Sequence, residues 1–150
     1  GMRHGLICSL TRLVHFGALP RDLKRRHEAV TLIDATLNAR TRVGAEVGNI
    51  LRGGIAEYAV SGFAAEWKLH HQGGPTGYAG RDYLATRDET RTVQLNQAFA
   101  WNPSITGTKC EDTIIALKNG PLVISLAGNW PTITHRVEGM ALQRPDILVK

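Results

Sequence analysis

Residues 5–16 open with Leu6, Cys8 and Leu10 alternating with other residues, and β-branched and aromatic types follow. A period of two is the spacing of an extended segment with one buried face. Gly17 and Pro20 break the run, and the period then changes. From Pro20 to Arg40, Leu23, His27, Val30, Ile33 and Leu37 recur at three- and four-residue steps, the single apolar stripe of a helix. Pro20 suits the first turn, where no N–H is lost, and Asp22 complements the amino-terminal dipole. A second helix is predicted over 45–61. Val47, Ile50, Leu51, Ile55, Tyr58 and Ala59 form its buried face, and Gly62 is its left-handed stop. Gly53 and Gly54 weaken its interior by about 1 kcal/mol each relative to alanine.

After Gly62 the pattern turns to short apolar runs between turn residues. Strands are predicted at Trp67–His71, Val93–Trp101, Thr113–Leu117, Leu122–Leu126, Thr132–Val137 and Ile147–Val149. Asn119-Gly120 between two of them is a hairpin signal, because both residue types tolerate positive φ. Helices first and antiparallel strands after predict an α+β fold: a curved, mainly antiparallel sheet with two long helices on one face. With no internal repeat, linker or low-complexity stretch, residues 1–150 read as one domain.

The composition, 43% hydrophobic and 21% charged, is that of an ordinary globular chain and excludes disorder, collagen and coiled coil. The net charge of +5 raises the question of nucleic acid. The basic residues are scattered, however, and the one dense group, Arg21, Lys24, Arg25 and Arg26, opens the first predicted helix as a solvated face. Nucleic acid is therefore not the expected partner. Cys8 and Cys110 lie far apart in no metal-binding spacing, which fits two buried thiols in a reducing, cytoplasmic setting. No apolar run approaches the roughly 20 residues of a membrane helix, and no signal-peptide pattern is expected at the start, where Gly1 before Met2 reads as a tag-cleavage scar.

Three segments carry candidate chemistry: His71-Gln72-Gly73-Gly74-Pro75-Thr76-Gly77-Tyr78, then Phe99-Ala100-Trp101-Asn102-Pro103-Ser104-Ile105, then Glu111-Asp112-Thr113-Ile114-Ile115. Read as residues, the glycines serve turns or close backbone approach. His70 and His71, placed side by side on a strand, point to opposite faces and cannot both line one pocket. For His71 a pocket role and a hydrogen-bonded structural role both stand. Glu111 requires a cation or a proton if it is buried, and Lys109 or Arg81 could neutralise it.

In order and interval the three segments resemble the second half of the pita-bread metallopeptidases, the aminopeptidase P, prolidase and creatinase family. They are similar to its His-x-Gly-His-Gly-x-Gly motif, its Glu-Pro-Gly-Ile strand end and its Glu-Asp-Thr strand start. The resemblance implies a catalytic domain of two similar halves, of which this chain holds the second, and a peptide or small amide substrate. It also implies a divalent pair such as Mn, Co or Zn held by two Asp of the first half and by one His and two Glu of the second. In the register set by Gly73 and Gly77, the ligand His falls on Gly74, the first ligand Glu on Asn102, and Glu111 alone matches a ligand. His71 takes the position beside the metals, and Arg81 stands where the family often carries a further His. Two divalent ions need charged oxygen ligands, and a second positive charge at about 4 Å costs about 4 kcal/mol at an effective dielectric of 20. The expectation is a peptidase-type domain without metal or other cofactor. Its catalytic candidates are His71, Glu111 and Arg81, and its substrate-binding candidates are His70, Tyr78 and Asn102. The alternative is a peptide- or protein-binding module. The resemblance further implies that the concave face, covered in the family by the other half, is exposed, so a homodimer or docking to an amino-terminal half is expected.

Overall fold

Pro20 takes an extended conformation, and helix α1 runs from there over Arg21–Arg40 in the computed structural model, which describes residues 1–126 and 128–150. The predicted stripe is buried from His27 onward, with Val30, Ile33 and Leu37 fully enclosed. So are Asp34, Ala35 and Ala39 on its other sides. This helix is central because different elements pack on opposite sides of it. Helix α2, Val47–Val60, lies on one side and buries Val47, Ile50, Leu51 and Tyr58. Gly54 accepts the Leu37 side chain where a β-carbon would collide with it. Ala59, expected on the buried face, is exposed.

The strands are shorter than the sequence pattern suggests. They are β1 (Met2–Arg3), β2 (Leu6–Ile7), β3 (Val14–His15), β4 (Gly73–Thr76), β5 (Ala98–Trp101), β6 (Ser104–Ile105), β7 (Thr108–Lys109), β8 (Asp112–Leu117), β9 (Gly120–Val123), β10 (Thr132–Val137), β11 (Met140–Pro145) and β12 (Leu148–Val149). A four-stranded sheet of order β4-β5-β8-β9 is antiparallel throughout. Phe99, Trp101, Ile114 and Ala116 on one face join the helices in the main core, and the Trp101 indole N–H donates to Thr41 Oγ1 at 2.8 Å. The fold is thus α+β with two helices on one face of a mainly antiparallel sheet. The pairing of β12 with β3 is parallel and ties the end of the chain to its beginning.

Two expectations are corrected. Residues 67–71 form no strand: Glu66–Lys68 is a single 3-10 turn followed by a bend, and pairing starts only at Gly73. The amides of Lys68 and Leu69 are spent on the Ala65 and Glu66 carbonyls and are lost to a sheet. Gly73 (φ +99) and Gly74 (φ +153) lie so close to the Ala100 and Tyr83 carbonyls that a β-carbon at either would strike them, so only glycine fits where β4 begins. The sequence pattern predicts a strand at Thr132–Val137 but not its partner Met140–Pro145, with which it forms the hairpin β10–β11. Its loop, Glu138 (φ +50) and Gly139 (φ +80), has two left-handed residues as a tight two-residue hairpin turn requires. The β10–β11 hairpin covers α1 opposite α2, where Leu142 meets Ala35 and Ala39. Among the described residues no helix is long and apolar enough to cross a membrane.

Candidate functional site

Strand alternation places the site. Gly74 pairs with Ala100, and Ala100 with Thr113, so these three share the sheet face turned away from the helices. Asn102 lies two residues beyond Ala100 and Glu111 two before Thr113, which carries both toward that same face. The Asn102 amide still bonds the Gln72 carbonyl at 3.1 Å, so pairing continues one step past β5.

Glu111 is buried at 6% exposure, and both of its oxygens are taken. Arg81 Nη2 donates to Oε1 at 2.9 Å, while Lys109 Nζ and the Thr11 hydroxyl donate to Oε2 at 2.8 and 3.1 Å. The Arg81 guanidinium is itself nearly enclosed, at 13% side-chain exposure. Burial pushes the Glu111 carboxyl up, but the Lys109, Arg81 and Thr11 hydrogen bonds outweigh it and hold the group below its ordinary value. Lys109 stands two residues before Glu111, at the spacing that puts both on one side of an extended chain. The arginine arrives from the loop after β4, as one of the two cations expected for Glu111.

His70 and His71 depart from the sequence expectation. Because residues 69 and 70 bend instead of extending, the two rings stack at 4.3 Å between centroids. Both line one cavity, where strand geometry would have separated them. His71 is exposed at the rim. Burial of the ring lowers its pKa, and His70, Arg81 and Lys109 lower it further against a smaller opposing effect of Glu111. Asn102 is buried, and its Oδ1 has no hydrogen-bond partner among the described residues. Tyr78 is 78% exposed and its ring lies against Gly5 at the β1–β2 turn. Thus Glu111, Arg81 and Lys109 form one cluster, His71 stands near enough to feel their charges, and Tyr78 is on the surface.

These residues do not fit a divalent pair. The oxygens of the one carboxylate are occupied by fixed cations, Asn102 supplies a neutral carbonyl, and the backbone at Gly74 leaves no room for an imidazole. Among the described residues no three His, Cys, Asp or Glu side chains converge to hold a metal ion.

A second polar cluster lies on the helix side of the sheet and was not foreseen. Arg144, fully buried, meets Asp34 Oδ2 through Nε at 2.5 Å and Asp112 Oδ2 through Nη2 at 2.9 Å. The Nε approach lies off the N–H axis, so that contact is an ion pair rather than a hydrogen bond. Arg12 Nη2 and the Ser125 hydroxyl take Asp112 Oδ1 at 2.8 and 2.6 Å, and Asn38 donates to Asp34. Two arginines and two aspartates balance their charges, and the buried Cys110 thiol, pushed up by burial, lies beside them. Asp112 carries a signal in retrospect: on β8 it neighbours Glu111 yet faces the core, and a buried carboxylate demands a cation.

No family model and no curated protein matches this sequence. Solved structures do match its fold. An Xaa-Pro dipeptidase from Bacillus anthracis superimposes with a TM-score of 0.77 at 16% identity, over 97% of this chain and 38% of its own. An X-Pro aminopeptidase from Thermotoga maritima MSB8 gives 0.76 at 13% identity, over 97% and 38%. The N-terminal domain of FACT complex subunit SPT16 from Cicer arietinum gives 0.68 at 12%, over 83% and 33%. At these identities the likeness is one of fold. The chain has the architecture of part of a pita-bread domain and spans between 33% and 38% of these neighbours' lengths.

Proposed function

We propose that this chain is a peptidase-fold domain of the prolidase and Xaa-Pro aminopeptidase type that engages peptides or small amides without a metal pair. The observation that carries the reading is the Glu111 carboxylate, held on both oxygens by Arg81, Lys109 and Thr11 where the family resemblance implies a metal ligand. Protein cations there take the place of metal charge, and the site needs no ion to remain neutral enough to fold. Glu111, so engaged and held anionic, is a poor base. His71, exposed yet held toward its neutral form by partial burial and the neighbouring cations, is the site residue left to accept a proton. Arg81 orients Glu111 and presents positive charge to a carbonyl or carboxylate; Asn102 and His70 are the candidates for further polar contacts to a ligand, and Tyr78 would meet a longer one at the surface. Cleavage in this arrangement is weak or absent, and whatever cleavage occurs is independent of metal.

The alternative, a peptide- or protein-binding module, draws its support from the apolar groove on the sheet face turned away from the helices. One experiment tests the main reading. After dialysis against Mn, Co or Zn, elemental analysis is expected to find no stoichiometric ion, and a chelator should leave the cleavage of Xaa-Pro peptides unchanged. About two ions per chain, or cleavage abolished by the chelator, would overturn it, since metal catalysis needs a held ion to lower the pKa of its bound water.

A further inference from the structure

The bend at residues 69–70 opens a cavity of about 540 Å³ on the α2 side of the histidine pair, within the size range of small-molecule sites. It adjoins the Glu111 cluster through His71, but Glu111, Arg81 and Lys109 do not line it; its lining includes Trp67, Lys68, His70, His71, Arg87 and Asp88. The Lys68 ammonium and the Arg87 guanidinium stand 5.9 and 5.6 Å from the Trp67 ring centroid. Cation–π attraction therefore gathers two positive charges at one indole. Among the described residues neither cation makes an ion pair, whereas most other arginines of the chain do. With the His71 ring lowered in pKa by burial, the charges that count are Lys68 and Arg87 against Asp88, a net positive wall. The stacked rings, 4.3 Å apart and inclined by 28°, make a second wall, exposed at His71. Behind it, His70 Nδ1 is buried with no hydrogen-bond partner among the described residues.

We propose that this cavity binds a small aromatic oxyanion, its carboxylate or phosphate taken by Lys68 and Arg87 and its ring laid against the histidine pair. Charge-assisted hydrogen bonds supply the strength, and Trp67 holds the two cations near their working positions before the ligand arrives, which lowers the ordering cost of binding. The Asp88 carboxylate at the same wall disfavours ligands of high negative charge.

Phenyl phosphate, benzoate and inorganic phosphate serve as probes for the whole chain, read by calorimetry and by NMR of the histidine rings. Saturable millimolar binding of phenyl phosphate or benzoate, with shifts at His70 and His71, is expected. Inorganic phosphate should bind more weakly, and which aryl probe prevails distinguishes a phosphate from a carboxylate ligand. The double variant Lys68→Ala, Arg87→Ala should weaken binding about tenfold or more. Both residues are exposed, so its melting temperature should match that of the parent. Removing equal charge elsewhere, in Lys118→Ala with Arg136→Ala, should leave binding unchanged. The idea fails if neither aryl probe saturates, if the Lys68–Arg87 variant binds as the parent does, if the control variant loses binding equally, or if inorganic phosphate binds as tightly as phenyl phosphate.

Discussion

Glu111 has three donors on two oxygens, and its substitution tests how far the site depends on that balance. In Glu111→Gln the amide accepts one of these bonds, while Arg81 and Lys109 lose their counter-charge in a nearly closed pocket. A loss of about 1–3 kcal/mol is expected in urea denaturation, the lower part of the range reflecting the partial exposure of Lys109. The pH dependence has a definite sign. The folded carboxyl lies below its ordinary 4.5, so its contribution is complete above that value and is lost as pH falls through the lower, folded pKa. The stability difference between parent and Glu111→Gln should therefore shrink between about pH 7 and about pH 3; a constant difference would place the carboxylate outside this network. Gly74 is the second residue under constraint. At φ +153, with the Tyr83 carbonyl in the path of a β-carbon, Gly74→Ala should cost about 1–3 kcal/mol or more. Gly74→His should be poorly folded rather than metal-binding, as circular dichroism melts of both variants would show.

The elements that could be read from the sequence were those whose pattern is set by neighbours a few residues away. Both helices follow their apolar stripes, with α1 found at Arg21–Arg40 and α2 at Val47–Val60, and Gly62 ends the second at φ +84. What escaped depends on distant partners. Strand β11 has a buried arginine where an apolar residue would mark a strand, and only Asp34 on α1 and Asp112 on β8 explain why Arg144 is inside. Its turn, Glu138-Gly139, lacks the usual Asn-Gly signal. Glu138 is held instead by Arg40 and Arg42 at the end of α1, at 3.1 and 3.6 Å. The Arg81–Glu111 contact spans thirty positions and was legible only because a buried carboxylate demands a cation, whereas the stacking of the two histidines depends on a bend at residues 69–70 that the apolar pattern does not show. The buried network is the junction of helix, sheet and hairpin, and this gives it a measurable role. Burial pushes the Asp34 carboxyl up, to about 6, with Arg144 opposing. Arg144→Met would leave two buried aspartates without that cation, so a loss of about 3–5 kcal/mol is expected. Proton–deuterium exchange should show β10–β11 and the end of α1 losing protection together; protection retained in the hairpin would mean that the ion pairs do not join these elements.

Across the whole molecule, the two faces of the four-stranded sheet have different surroundings. The helices close one, while on the other Ala98, Ile115 and Ile124 face the amino-terminal segment across an apolar groove of about 700 Å³, with Leu122 beside Ile115 on the same face. Leu122 and Ile124 remain 49% and 47% exposed, and Leu6 and Met2 at the groove's edge 51% and 73%. A contiguous apolar surface of this kind usually marks an interface. This chain matches 38% of the length of each of two neighbours with this fold, and a second copy is the simplest symmetric cover for a self-complementary patch. The expected result is self-association through this face. With a net charge of +5 on each copy the interaction must be apolar in origin, so added salt, which screens the repulsion, should strengthen it. Leu122→Lys with Ile124→Lys should yield a monomer with unchanged circular dichroism, because both side chains point outward and the charges would lie in the interface. Sedimentation velocity across micromolar concentrations, with and without added salt, measures this directly. A monomer throughout, or a dimer indifferent to the two lysines, would show that the face is satisfied without a second copy and that association, where present, uses another surface.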